Sequence, residues 1–208
     1  KPNAENAVRL AVVELFDTLS KGTKMQWSRA KGEEVLNYIT IKAPPLLQTP
    51  EINRINVKNG IYDLAAGTLT PHDPSYRTTV QLNVTYDPNA TCKNWDNFIA
   101  SVFPEEGAIS GYEIPAWLMV PYIENQKSVV LLGSGSNGKS IYLHAVLHFL
   151  GEENSCNVPL QKLGDRFTTT LLLGKLANIS PDLPNTKIAN TSEFKALTGG
   201  DYITAEYK

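Results

Sequence analysis

Large apolar residues recur at helical spacing near the start of the chain, at Val8, Ala11, Val12, Leu15, Phe16 and Leu19, and Ser20-Lys21-Gly22-Thr23 closes the run. A second helix is predicted from about Ser28 to Tyr38. The proline-rich stretch from Ala43 to Pro50 then forbids regular structure and reads as a connector. Beyond it the period shortens. Ile55-Asn56-Val57-Lys58 and Ile61-Tyr62-Asp63-Leu64 flank Asn59-Gly60, a hairpin signal, and Ala66-Gly67 marks another reversal before Leu69. Thr78 to Val84 is a further strand candidate. Trp95, Phe98, Ile99 and Phe103 return to helical spacing until Phe103-Pro104 stops them, and a following helix is predicted from about Ile114 to Asn125, with an irregularity at Pro121.

The run Ser128-Val129-Val130-Leu131-Leu132 predicts a buried strand, and Ile141 to Leu150 predicts a helix that Gly151 closes. After that helix, Cys156 to Leu160 is a weak strand candidate. Leu171 to Ile179 reads as a helix end, a turn at Gly174-Lys175 and a strand over Leu176-Ala177-Asn178-Ile179. From Ser192 a short helix precedes a Gly199-Gly200 stop, and Tyr202 to Lys208 reads as the first arm of a hairpin. No internal repeat or low-complexity tract interrupts this order.

Between the strand and the helix lies Gly133-Ser134-Gly135-Ser136-Asn137-Gly138-Lys139-Ser140, a complete phosphate-binding loop in the context such a loop requires. Glycines let successive backbone N–H groups wrap a phosphate with no Cβ in the way, and the start of the helix favours the anion. Lys139 supplies a mobile charge for the β- and γ-phosphates of a nucleoside triphosphate, and the Ser140 hydroxyl is a hard oxygen ligand suited to Mg²⁺. The bland alternative is a Gly/Ser turn that links strand to helix and binds nothing. A loop of this kind needs a carboxylate at the end of a neighbouring strand, and Asp182, three residues past Ile179, is the first candidate. Its bland reading is a Pro181-Asp182 turn. Glu193 is a second acid to weigh, and Asn178 or Ser180 could position water.

Composition narrows the classes further. The chain has 208 residues, 42% of them hydrophobic and 19% charged, enough for one large domain or two small ones. No apolar run is long enough to span a bilayer, and the first residues lack the core of a signal peptide, so no membrane and a cytoplasmic location are the expectation. Cys92 and Cys156 have no metal-binding spacing and read as small buried hydrophobes. A net charge of -2 and a pI near 6.0 argue against a broad basic face that coats nucleic acid, yet leave room for a motor that touches DNA through one or two lysines per subunit. His144 and His148 stand four apart on the loop helix without the Glu of a zinc protease motif, and ordinary helix-face histidines are expected there. Lys162, Arg166, Lys175 and Lys195 read mostly as solvated surface, and Trp95 and Trp117 as core.

Several runs in order carry a resemblance: Asn56-Val57-Lys58-Asn59-Gly60-Ile61-Tyr62-Asp63-Leu64, Pro71-His72-Asp73-Pro74, Tyr86-Asp87-Pro88-Asn89-Ala90, the phosphate loop, Leu163-Gly164-Asp165-Arg166-Phe167, Gly174 to Ile179, and Phe194 to Asp201. Together they resemble the phage/plasmid primase-helicase family over about Ile55 to Lys208. That resemblance implies an α/β fold: a partial P-loop AAA+-like core over residues 111–208, preceded by a smaller mixed α+β module over residues 1–110. It implies a superfamily 3 helicase that uses ATP and Mg²⁺ to unwind DNA at replication origins, with single-stranded or forked DNA as its partner, as a hexameric ring, encoded by a phage or plasmid in a bacterial or archaeal cell. By the same resemblance Gly133, Gly138, Lys139 and Ser140 form the A motif and Asp182 falls in the B motif. Lys208 takes the place of the hairpin lysine that holds DNA phosphates in the ring channel.

Two departures stand out. Pro181 precedes a single acid where the family commonly pairs two, and the asparagine sensor and arginine finger expected further on do not occur before Lys208. The expectation is therefore a fragment, inactive alone, of an active parent. Two other readings stay open: a P-loop kinase that phosphorylates a small molecule, and a nucleotide-binding or assembly module without turnover.

Overall fold

The computed structural model describes residues 4–21, 27–43, 51–76, 78–121, 126–183 and 191–206. The chain divides into two compact units, Lys1–Gln48 and Thr49–Lys208.

The first unit is a pair of helices, α1 (Ala4–Ser20) and α2 (Arg29–Lys42). Ser28 caps α2, its side-chain oxygen accepting from the Lys31 N–H at 3.3 Å. The helix runs four residues beyond the expected Tyr38 to Lys42, because nothing before Ala43 breaks it. Val12 is buried, Phe16 meets Trp27 edge-on at 5.3 Å, and the Arg9 guanidinium grips the Glu33 carboxylate at 2.7 Å. That bond holds the Glu33 carboxyl below its ordinary range. Gly32 is needed where it stands, since a Cβ there would run into the Trp27 indole.

The second unit opens with an antiparallel three-stranded meander, β1 (Arg54–Val57), β2 (Gly60–Asp63) and β3 (Thr68–Thr70). Val57 pairs with Gly60, so the two-residue loop is Lys58-Asn59, one residue earlier than the Asn59-Gly60 signal suggests. The reason is local. The Asn59 side chain clamps Tyr86, donating to its carbonyl at 2.9 Å and accepting from its N–H at 3.0 Å, while Gly60 lies flat against β3, where a Cβ would strike the Thr70 carbonyl. At the next turn Asp63 accepts from the Ala65 and Ala66 N–H groups, and Gly67 takes the left-handed conformation at φ 65°.

Thr78 to Val84 does not form the expected strand. It runs beside β1, with the Leu82 N–H on the Asn56 carbonyl and the Lys58 N–H on the Val84 carbonyl, but the two bonds do not share the spacing of a regular ladder. Leu82 is nevertheless 1% exposed, so the segment delivers its apolar side chain to the core.

Next come α3 (Lys93–Val102), ended as expected at Phe103-Pro104, and α4 (Ser110–Leu118). The last helix is shifted from the expected 114–125; residues 122–125 lie outside the described residues. Pro115 sits inside α4, and without an N–H it cannot serve the Gly111 carbonyl four residues back. The Tyr142 hydroxyl does so instead, donating at 3.1 Å from α5 (Lys139–Leu150). Tyr142, Val146 and Leu150, four residues apart, form the buried stripe of α5, and His144 and His148 lie exposed on the other side as expected. One cluster joins Ile55, Val57, Leu82, Ile99, Tyr142, Val146, Leu150 and Ala177, drawn from both sides of residue 110.

Two short strands, β4 (Ser155–Cys156) and β5 (Ala177–Asn178), pair in parallel, bracketed by the Leu176 N–H on the Asn154 carbonyl and the Ile179 N–H on the Cys156 carbonyl. The turn at Gly174 is present, with φ 71°. A last helix, α6 (Ser192–Gly199), ends on Gly200 in the left-handed conformation at φ 79°, with the Asp201 N–H returning to the Ala196 carbonyl.

Two further expectations are corrected. Ser128 to Leu132 is not a strand: no ladder joins it among the described residues, and Val129, Val130 and Leu132 are exposed, Leu132 by 88%. A strand in a parallel sheet needs neighbours, and here β4 and β5 pair only with each other, leaving Leu131 alone of this run packed on the core. The cysteines are not both buried either. Cys92 is exposed just before α3, and Cys156 is half-buried with its thiol pushed up by burial. The architecture is thus mixed α and β with small sheets. Residues 201–206 carry no regular structure and Tyr202 is fully exposed, so the expected hairpin arm has no ladder among the described residues; Lys208 lies outside them.

Candidate phosphate-binding site

The loop 133–140 is shaped by three left-handed residues, Gly135 at φ 100°, Ser136 at φ 48° and Gly138 at φ 83°. Left-handed backbone costs roughly 1 to 2 kcal/mol for a residue with a Cβ, so two of the three turning points fall on glycine. Gly138 has a second reason. A Cβ there would come within 2.6 Å of Val102 and 3.3 Å of Phe98, both on α3. The loop thus rests on α3 from behind. Tyr142, one turn into α5, stacks on Trp95 of α3 at 5.6 Å and meets Phe103 edge-on at 5.2 Å. Burial of this ring stabilises the junction by about 2 kcal/mol or more and pushes the hydroxyl up to about 12. Trp95 is therefore core, as expected.

The first intrahelical bond of α5 runs from the Tyr142 N–H to the Gly138 carbonyl at 2.9 Å, leaving the N–H groups before it free of helical partners. Lys139 bends back over the loop. Its ammonium donates to the Gly133 carbonyl at 3.2 Å and to Asn137 Oδ1 at 2.6 Å. Gly133 leaves room for this, since a Cβ would collide with the Asn137 amide nitrogen. Ser140 is exposed at the start of the helix. The donor set fits a phosphate: a cation, a helix start and glycine backbone on one short arc.

Asp182 is exposed after β5, its carbonyl accepting from the Ser180 hydroxyl at 3.2 Å, and no hydrogen bond or ion pair joins it to the loop among the described residues. Ser180 thus bonds locally, and Asn178 does too. Its amide clamps Val158, accepting from the N–H at 2.7 Å and donating to the carbonyl at 2.9 Å. Glu193 rests against Gly164, 3.2 Å from where a Cβ would stand, and accepts from the Ser192 hydroxyl. Arg166 pairs with Glu206 at 2.7 Å and Lys175 donates to the Glu153 carbonyl, so both are engaged away from the loop. Among the described residues no group of three or more His, Cys, Asp or Glu could hold a metal ion.

Sequence reasoning counted Asn137 only as one of eight loop residues and passed over Tyr142. The Pro115 signal for the latter was present, because a proline inside a helix always strands a carbonyl.

Residues 11–104 match a family described as "D5 N terminal like". Residues 131–208 match a family described as of unknown function (DUF5906). A curated relative, the putative helicase L207/L206 of Acanthamoeba polyphaga mimivirus, is 28% identical over 173 residues, which cover 73% of this chain and 17% of that protein. These matches support a primase-helicase family. The chain thus spans only a small part of the length of the helicase-named relative. No helix among the described residues is long and apolar enough to cross a membrane.

Proposed function

We propose that this chain carries the nucleotide-binding part of a replicative primase-helicase that couples ATP hydrolysis to DNA unwinding. The observation that carries the reading is the loop itself: eight residues whose glycine turning points, seat on α3 and Lys139 cation converge at the start of α5. ATP would bring the bond to be cleaved. Lys139 would bind its β- and γ-phosphates, the loop N–H groups would orient them, and Ser140 would supply an oxygen to Mg²⁺. Asp182 is the proposed second acid. Lys208 is the proposed DNA contact, and assembly into a ring is proposed with it. The proposed division into modules 1–110 and 111–208 follows the two family matches, which end at residue 104 and begin at residue 131, and one core runs across it.

A second reading is a nucleotide-binding module without turnover, which needs the loop and Lys139 but no second acid. Titration of a fluorescent ATP analogue with Mg²⁺ tests the common ground. The wild-type chain should bind and Lys139→Ala should lose about tenfold or more in affinity, as loss of a charged hydrogen-bond donor requires. Equal binding by both proteins excludes the phosphate loop as the site. In a longer protein that unwinds DNA, Lys208→Ala should keep ATPase and lose DNA-coupled movement.

A further inference from the structure

The cation that would receive a phosphate is engaged within its own loop. Lys139 Nζ donates to Asn137 Oδ1 at 2.6 Å, short even for a charge-assisted bond, and to the Gly133 carbonyl at 3.2 Å. Both acceptors belong to the loop that would cradle the phosphate. The Asn137 amide lies over Gly133, at the place a side chain on residue 133 would fill. Gly133, Asn137 and Lys139 therefore form one interlocked unit in which the absence of a Cβ seats the amide and the amide holds the ammonium. Asparagine suits the task. It accepts from a cation through a neutral oxygen and so adds no negative charge to a site meant for an anion.

We propose that Asn137 is a positioning residue that holds Lys139 turned back onto its loop, so that affinity is set by competition between Asn137 Oδ1 and phosphate oxygens for one ammonium. This rests on the nucleotide-binding reading above. Removal of the competitor frees the lysine at no cost to its charge, so truncation of Asn137 tightens binding. A residue that merely shapes the loop would do the opposite when truncated. Replacement by aspartate keeps the tether as an ion pair and adds repulsion toward phosphate.

The experiment uses the whole chain and N-methylanthraniloyl-ADP with Mg²⁺ as probe. Asn137→Ala should bind about three- to tenfold tighter than wild type, the range a single hydrogen bond in competition with a ligand allows. Asn137→Asp should bind about tenfold weaker. A second readout needs no ligand: acetylation of the Lys139 amine by acetic anhydride, followed by mass spectrometry of the peptide, should run about threefold faster in Asn137→Ala than in wild type. Equal or weaker binding by Asn137→Ala, or an unchanged acetylation rate, overturns the tether. Failure of every variant and of wild type to bind the probe overturns the nucleotide reading and the competition with it, an outcome distinct from binding that Asn137→Ala fails to tighten.

Discussion

The ground behind the phosphate loop and the chain leading into it are built on opposite terms. Behind the loop, Gly138 abuts Val102 and Phe98, and Tyr142 is locked between Trp95 and Phe103 with its hydroxyl on the Gly111 carbonyl. Leading into the loop, Val129, Val130 and Leu132 face outward, no ladder holds them, and the loop's own residues supply the partners of Lys139. Packing fixes where the helix start points. Among the described residues the partners of the Lys139 ammonium are the loop's own Gly133 and Asn137, so a ligand can reclaim it without disturbing the core. That contrast predicts that substitutions behind the loop alter stability, while those at its front alter binding.

The largest effect should come from Tyr142→Ala, which removes a 2%-exposed ring and leaves the Gly111 carbonyl without its partner. A loss of about 3 to 5 kcal/mol in urea unfolding is expected. A loss under 1 kcal/mol would mean that the stacked junction does not support the fold, and the contrast would fail. Gly138→Ala comes next. Its Cβ meets Val102 and its φ of 83° is strained for alanine, so about 2 to 3 kcal/mol of destabilisation is expected, together with weaker nucleotide binding.

Tyr142→Phe sharpens the picture, since it keeps the ring and deletes only the hydroxyl. It should cost about 1 to 3 kcal/mol. It should also alter the response to alkali. The folded-state hydroxyl is pushed up to about 12 by burial, above the ordinary tyrosine value of 10.0, so the unfolded chain releases its proton first as pH rises. The stability Tyr142 contributes is therefore fully present below pH 10 and lost between pH 10 and 12. Unfolding midpoints measured across that window should fall more steeply for wild type than for Tyr142→Phe. The smallest effect belongs to the front. Leu132→Ser, at a side chain 88% exposed, should shift stability by less than about 0.5 kcal/mol. A loss of several kcal/mol would reveal a burial that the free chain does not show.

The sequence spoke clearly where a local rule and the packing agree. Helix α3 stops at Phe103-Pro104 because proline forbids helical backbone before it, and α6 stops at Gly200 because glycine accepts the left-handed turn. The loop was legible for the same reason: Gly135 and Gly138 take a backbone shape that favours glycine. Misreadings arose where a distant residue decides. Val129 to Leu132 has the composition of a strand, but composition cannot provide a neighbour to pair with. The hairpin turn slid by one residue because the Asn59 side chain is taken by Tyr86, 27 positions away. Nor could periodicity show that both ends of the Asn178 amide bond to Val158, 20 positions away. In the candidate site, residue types were visible, but the engagement of Lys139 by Asn137 was not, because periodicity says nothing about where a long side chain folds back.

Pro115 bears on the order in which the molecule takes shape. Among the described residues the acceptor it strands at Gly111 is served by Tyr142, 31 residues later in the chain. During synthesis from the N-terminus, α4 therefore emerges with an open acceptor that water must serve until the following helix has left the ribosome. The two helices are committed to mature together, and nascent chains halted before Tyr142 should leave the α4 segment open to protease.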